Sequence, residues 1–175
     1  MGALGFYNSG NKYSYKGATP LTDAMFGIRY IISNDEIWAS NLSLCEQTEN
    51  KYIYENQQNL ALGYMVNPGV TQWKIVEGDP FVTQNDFVRM ATDTQGAMFI
   101  PLETGEPQVT DGMLTSTGED KYYYERHGSG GSLTWQLTFT EQQDVYIYFE
   151  ASHCEKLKVT IDGKTETYSD KRGHI

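Results

Sequence analysis

The chain has only two cysteines, Cys45 and Cys154, three histidines and five prolines. A metal site needs about three or four ligands at suitable spacing. His153 beside Cys154 finds no further ligand nearby in sequence, so no metal is expected. Basic residues are scarce too: 13 Lys and Arg stand against 23 Asp and Glu, a net charge of −10. So acidic a chain is not built to neutralise nucleic-acid phosphates, and an anionic lipid surface would repel it. No apolar run approaches the roughly 18 residues of a membrane-crossing helix. A basic segment leading into an apolar stretch, the mark of a signal peptide, is lacking at Met1-Gly2-Ala3. Both ends read as cut rather than natural. No Gly-x-Ser-x-Gly elbow, His-Glu-x-x-His helix or Walker loop occurs, which removes the commonest hydrolase, metalloprotease and nucleotide-binding readings. No cofactor is expected.

Tyrosine and glycine are what the chain has in quantity. Thirteen tyrosines exceed the seven phenylalanines and three tryptophans together. An apolar ring with a polar tip suits half-buried strands and wet surfaces. Seventeen glycines, with Asn, Asp and Ser clusters, imply many turns. At 175 residues the chain can bury a core without disulfide staples. Cys45 and Cys154 are read first as two separate thiols; the alternative is one bridge closing a loop of about 100 residues.

Along the chain, residues 1–18 read as irregular. Thr19-Pro20 suits a helix start with proline at the first helical position. Leu21, Met25 and Ile28 then share a face, predicting a helix over about 20–28. Ile28 to Ile32 reads as a strand, as does Lys51 to Glu55. Residues 36–50 are ambiguous. Leu60 to Val66 reads as a buried strand, followed by a turn at Asn67-Pro68-Gly69. Thr83 to Asp86 resembles a capping box, with Val82 and Phe87 at the staple positions, predicting a helix over about 83–92. Ala97 to Ile100 reads as a strand.

From about residue 102 the pattern is all β. Leu133, Trp135, Leu137 and Phe139 alternate with polar residues, and Val145 to Phe149 follows as another strand. Leu157, Val159 and Ile161 lead into a two-residue turn at Asp162-Gly163. The fold class expected is mainly β with minor α: an antiparallel, jelly-roll-like β-sandwich over 102–175, preceded by a small α+β segment over 1–101 packed on it. The two are read as one structural unit.

Catalysis finds little support. A glycosidase needs two carboxyl groups held about 5–10 Å apart. Glu103, Glu106, Glu119, Asp120 and Glu125 all fall in polar loops or at strand edges, where acids are solvated. Gly128-Ser129-Gly130-Gly131 lies between strands, not between a strand and a helix, and reads as a flexible hairpin loop. The best binding cluster is Tyr122-Tyr123-Tyr124 followed by Glu125, Arg126 and His127. In a strand, Tyr122 and Tyr124 share one face. Rings there suit a sugar, and Arg126 and His127 suit a phosphate. The competing reading is edge packing. Asn41-Leu42-Ser43 is a formal glycosylation sequon.

Three blocks carry a family resemblance. NKYSYKGATPLTDAMFGIRYIIS, from Asn11 to Ser33, resembles a hallmark of the bacterial YfhO-type membrane proteins. YIYENQQNLALGYMVN, from Tyr52 to Asn67, and DPFVTQNDFVRMATD, from Asp79 to Asp93, are similar to two further blocks in the same order and spacing. The departures are Ala61 where proline is usual and Asp79 where asparagine often precedes Pro-Phe. The resemblance covers about residues 11–164. It implies the extracytoplasmic, carboxy-terminal region of a polytopic bacterial membrane protein. Such proteins resemble lipid-linked-sugar glycosyltransferases that modify cell-wall polymers such as lipoteichoic acid. The catalytic acid of that architecture is expected in a loop outside this sequence, so no catalytic residue carries over. The partners implied are the transmembrane portion of the same polypeptide and a cell-wall polysaccharide or teichoic-acid-type polymer, not nucleic acid. Two other readings compete: a free-standing carbohydrate-binding module, and a small glycosidase.

Overall fold

The computed structural model describes residues 2–6, 8, 9, 12, 13, 15, 17–118, 121–128, 130–150, 157–168 and 172–174. Its elements are β1 (Asn8–Ser9), β2 (Lys12–Tyr13), α1 (Pro20–Met25), β3 (Tyr30–Ser33), β4 (Leu42–Gln47), β5 (Tyr52–Asn56), α2 (Pro80–Thr92), β6 (Gln108–Thr110), β7 (Gly112–Gly118), β8 (Lys121–Arg126), β9 (Ser132–Thr134), β10 (Tyr148–Glu150), β11 (Leu157–Ile161), β12 (Lys164–Tyr168) and β13 (Arg172–His174). Short 3-10 turns occupy Gly2–Leu4 and Pro68–Gln72. Strand exceeds helix, 31% to 18%, so the chain is mainly β with minor α. Every strand pairing among the described residues is antiparallel. The chain divides into two units: 1–98 with 144–175, and 99–143. Residues 144–175 thus group with the first unit rather than with the strands before them.

In the first unit, α1 is built by its ends. The Thr19 hydroxyl accepts from Thr22 N at 3.2 Å, and Thr22 Oγ1 accepts from Thr19 N at 2.8 Å. This is a reciprocal capping box with threonine in place of the usual Glu or Gln, and Pro20 stands at the first helical position. The helix is shorter than the predicted 20–28 because Gly27 adopts φ +62°. Gly27 N then donates to Ala24 O and Ile28 N to Asp23 O, a Schellman closure. The chain leaves directly into β3, as the β-branched run predicts. The central strand of the sheet is β5, flanked by β3 and β4. It buries Tyr54 and Asn56, and Tyr54 Oη accepts from Ile37 N at 2.8 Å.

The second helix begins earlier than the predicted 83. Asp79 is its N-cap, accepting from Val82 N at 2.9 Å, with Pro80 at the first helical position. The expected capping box at Thr83–Asp86 is therefore not formed. Thr83 is instead buried one turn inside, its hydroxyl accepting from Val76 N at 2.9 Å and donating to Asp79 O at 2.9 Å. Val82, the expected staple residue, is exposed, while Phe87 packs edge-on against Trp73 at 5.1 Å. Trp73 Nε1 donates to Thr83 O. Two predicted strands are absent: residues 60–66 and 97–100 form none. Leu62 is 97% and Ile100 80% exposed. Residues 36–50, which the pattern leaves ambiguous, contain β4. The hairpin of β11 and β12 turns at Asp162-Gly163 as expected, both with positive φ.

The second unit is one long, interrupted hairpin. β7 pairs with β8, and β6 pairs with β9 outside them. Asp111, with φ +45°, is alone between β6 and β7, whereas residues 127–131 separate β8 from β9. Gly128, Gly130 and Gly131 thus lie on the return arm, not at a hairpin tip. The predicted strand 133–139 is a ladder only over β9, Ser132–Thr134. A Cβ on Gly112 would run into the Tyr124 ring and stand 2.7 Å from Glu125 O. A Cβ on Gly131 would meet the Tyr124 hydroxyl and stand 2.9 Å from Asp111 O. Backbone cannot yield as a flexible side chain can. Gly131→Ala is accordingly expected to destabilise this unit by about 1–3 kcal/mol, read as faster amide exchange across β7 and β8. Unchanged exchange would show that the return arm is not closed down on Tyr124.

Candidate functional site

The family-like blocks meet in the first unit, in a set of buried polar side chains. Gln84, 0% exposed, is its hub. Its Oε1 accepts from Thr19 Oγ1 at 2.6 Å and its Nε2 donates to Leu4 O at 3.0 Å. One side chain on α2 thereby ties the cap of α1 to the amino-terminal turn. Asn56 does similar work at the end of β5: its Nδ2 donates to Ile28 O, while its Oδ1 accepts from Asn41 Nδ2 and Gln58 N. Asn41, the residue of the formal sequon, is itself buried. No buried side-chain nitrogen or oxygen among the described residues lacks a partner. Buried and fully paired, this network specifies packing.

Among the described residues of that region, Asp23 is the acid with perturbed chemistry. It is 4% exposed on α1 and accepts from Tyr15 Oη at 2.5 Å. Burial raises its pKa to about 6, against a smaller lowering by the Tyr15 hydrogen bond. The Tyr15 phenol is pushed up strongly by burial, then by its bond to Asp23 and the charge there. Tyr146, on the chain entering β10, is pushed up to about 12 by burial and by the charges of Asp144 and Asp23. Asp144 in turn accepts from Ser40 N at 2.9 Å. Two phenols and a carboxyl near pKa 6 could hold or pass a proton. Asp23 itself is buried, whereas Tyr146 is half-buried and Tyr15 is 42% exposed, so the carboxyl meets solvent only past its two phenols.

The binding residues predicted from sequence lie on β8 in the second unit. Tyr122 and Tyr124 are half-buried, Arg126 and His127 exposed. Tyr122 packs against Trp135, ring centroids 5.8 Å apart at 60°. Trp135, which alternation places on a buried face, is 37% exposed and forms the rim of that pair. Tyr124 lies across Gly112 and Gly131 and donates to Thr110 O at 3.2 Å. Tyr123, on the other face, is 58% exposed. The strand therefore brings Tyr122 and Tyr124 to one side, with Arg126 in the same alternation and His127 just beyond. The candidate acids Glu103, Glu106 and Glu125 are exposed, as solvated loop and edge acids should be. Glu119 and Asp120 lie outside the described residues. So does Cys154; Cys45 is exposed and unbridged among the described residues. No group of three or more potential metal ligands occurs among the described residues.

A pocket of about 240 Å³ in the first unit is lined by Gly2, Ala3, Glu77, Gly78, Tyr148 and Glu150. Tyr148 Oη donates to Glu150 Oε2 at a long 3.4 Å. No helix among the described residues is long and apolar enough to cross a membrane.

No curated protein and no solved structure matches the chain. The family described as bacterial membrane protein YfhO matches residues 1–174. With nearly every residue inside that match, the chain belongs to the YfhO family of bacterial membrane proteins.

Proposed function

We propose that this region is an extracytoplasmic accessory domain of a polytopic membrane protein resembling lipid-linked-sugar glycosyltransferases. In this reading it lies on the outer face of the bacterial membrane, joined to the transmembrane portion of the same polypeptide. It recognises the acceptor, a cell-wall polymer of the teichoic-acid type, and leaves sugar transfer to the parent protein. The observation that carries the reading is a division of labour. Thr19, Asn56 and Gln84 of the family blocks are tied up in internal hydrogen bonds, whereas the rings of Tyr122 and Trp135 and the exposed Arg126 and His127 gather on and beside β8.

Tyr122 and Trp135 offer tilted rings to a sugar face, and Arg126 and His127 follow for a phosphate. The net charge of −10 opposes a polyanion beyond a Debye length of about 8 Å. Binding is therefore local and weak, and it strengthens as added salt screens the long-range repulsion. In an NMR titration with teichoic-acid-type oligomers, Tyr122→Ala or Trp135→Ala is expected to weaken binding at least about tenfold. Tyr124→Phe, which removes only the hydroxyl bonded to Thr110 O, should leave it unchanged. Absence of any shift near Tyr122 at millimolar oligomer would reduce the cluster to edge packing.

A further inference from the structure

We propose that the uncharged loop of residues 57–66, in the first unit, rests in the interfacial layer of the lipid bilayer. Charge and apolar surface are segregated along this chain. No charged residue lies between Glu55 and Lys74, the longest such gap in a sequence with 36 charged side chains (13 basic and 23 acidic). All residues from Gln57 to Pro68 are exposed. Within that stretch Leu62 is 97% and Met65 99% exposed, with Leu60, Tyr64 and Val66 beside them. Solvent-facing loops of a strongly acidic chain ordinarily carry their share of the charge, and contiguous exposed apolar side chains mark an interaction surface.

The loop is held at both ends, which makes it a presented feature rather than a loose one. At its start, Asn56 is fully buried, and its Oδ1 accepts from Gln58 N while its backbone carbonyl accepts from Asn59 Nδ2. At its end, Asn67 N donates to Ala91 O at 2.7 Å on α2, and Asn67 Oδ1 caps the following turn through Gly69 N. Between these points the chain crosses Gly27, whose added Cβ would stand 3.2 Å from Leu60 O and 3.6 Å from Leu62 Cδ2. Phe26, exposed beside it, extends the apolar surface.

Charge selects the occupant. A second copy of this chain would bring another net charge of −10 against the first, and nothing in the loop is cationic to offset it. A charged protein surface would find no ion-pair partner between Glu55 and Lys74. A zwitterionic bilayer interface asks for no counter-charge. It takes up leucine and methionine side chains, with tyrosine at headgroup level. Membership of a membrane-protein family supplies the surface within reach of this region.

Co-sedimentation of the chain with phosphatidylcholine vesicles tests this directly. The wild type is expected to partition onto neutral vesicles at millimolar lipid. Leu62→Ser with Met65→Ser should lower the partition coefficient by about tenfold or more while leaving thermal unfolding unchanged, because both side chains are already in water. Replacing part of the lipid by an anionic species should weaken binding of the acidic wild type. Equal partitioning of wild type and double variant, no partitioning at millimolar lipid, or a concentration-dependent dimer that the double variant abolishes would each overturn the proposal. The titration of Tyr122 and Trp135 reads the other unit, so failure here leaves the acceptor-recognition reading standing, and the reverse.

Discussion

Replacing Gln84 by leucine is expected to cost about 2–4 kcal/mol of stability in the first unit. The residue is fully buried, and its amide uses both ends. Leucine fills most of the volume but leaves Leu4 O with no donor in a place water does not reach, and it removes the 2.6 Å bond from Thr19. Thr19 Oγ1 keeps its bond from Thr22 N, so the α1 cap should loosen rather than dissolve. Gln84→Glu separates volume from chemistry. The carboxylate keeps an acceptor for Thr19 but points a second oxygen at Leu4 O. At neutral pH it is a buried charge facing a carbonyl, and the loss should exceed that of the leucine variant. Protonation restores an O–H donor, so the glutamate variant should recover part of its stability on acidification toward pH 4. Urea unfolding with amide exchange at α1 and α2 reads both effects. A leucine variant within about 0.5 kcal/mol of wild type, or a glutamate variant insensitive to pH, would mean that Gln84 is not the tie between these elements.

How much of this was legible in the sequence depends on whether the signal was local. Thr19-Pro20, the run into β3 and Asp162-Gly163 are short-range instructions, and the structure obeys all three. Asp79-Pro80 carries the same instruction as Thr19-Pro20. The box-like spelling of Thr83–Asp86 competes with it one turn later. The structure resolves the competition because Thr83 is needed inside, between Asp79 O and Val76 N. Leu60 to Val66 shows the opposite limit. Apolar character predicts burial only when something is present to bury against. Among the described residues this stretch has neither a strand partner nor a cover, so period and composition point to a strand that the fold does not make.

The candidate sites divide the same way. Alternation alone puts Tyr122, Tyr124 and Arg126 on one side of a strand, because the period of two is a property of any strand. It does not tell that Tyr124 is held down over Gly112 and Gly131, or that Tyr122 finds Trp135, since those contacts join residues that the strand period does not relate. The Gln84 network is less legible still. Its bonds join residues 65 and 80 positions apart. A glutamine in the first half of an amphipathic helix gives no sign that it faces inward. The one available hint was the shared membership of Thr19 and Gln84 in separate family-like blocks, which suggests a common purpose without naming the contact.

Asp23 should make the first unit less stable as pH rises from about 4 to about 7, against the usual trend for acids. Burial raises its folded-state pKa to about 6, above the ordinary 3.8. The folded chain therefore holds this proton more tightly than the unfolded chain does. The stabilisation is complete below about pH 3.8, is lost progressively through the interval up to about pH 6, and is absent above it. The groups facing Asp23 work in both directions: the Tyr15 hydroxyl donates to it at 2.5 Å, and the Tyr146 phenol, with Asp144 behind it, stands near enough to feel its charge. Neither phenol ionises in this range, so the carboxyl titrates against fixed neighbours. The full difference is about 1–3 kcal/mol. Asp23→Asn keeps the Oδ1 acceptor for Tyr15 and cannot titrate. Relative to it, the wild type should lose about 1 kcal/mol between pH 5 and pH 7.5, a shift of roughly 2–4 °C in unfolding midpoint. Tyr15→Phe removes the hydroxyl whose hydrogen bond lowers the Asp23 pKa. The acid should then titrate higher, and the pH-dependent loss should move up with it and grow. Parallel wild-type and asparagine curves across this range would show that the Asp23 carboxyl is not held in the interior.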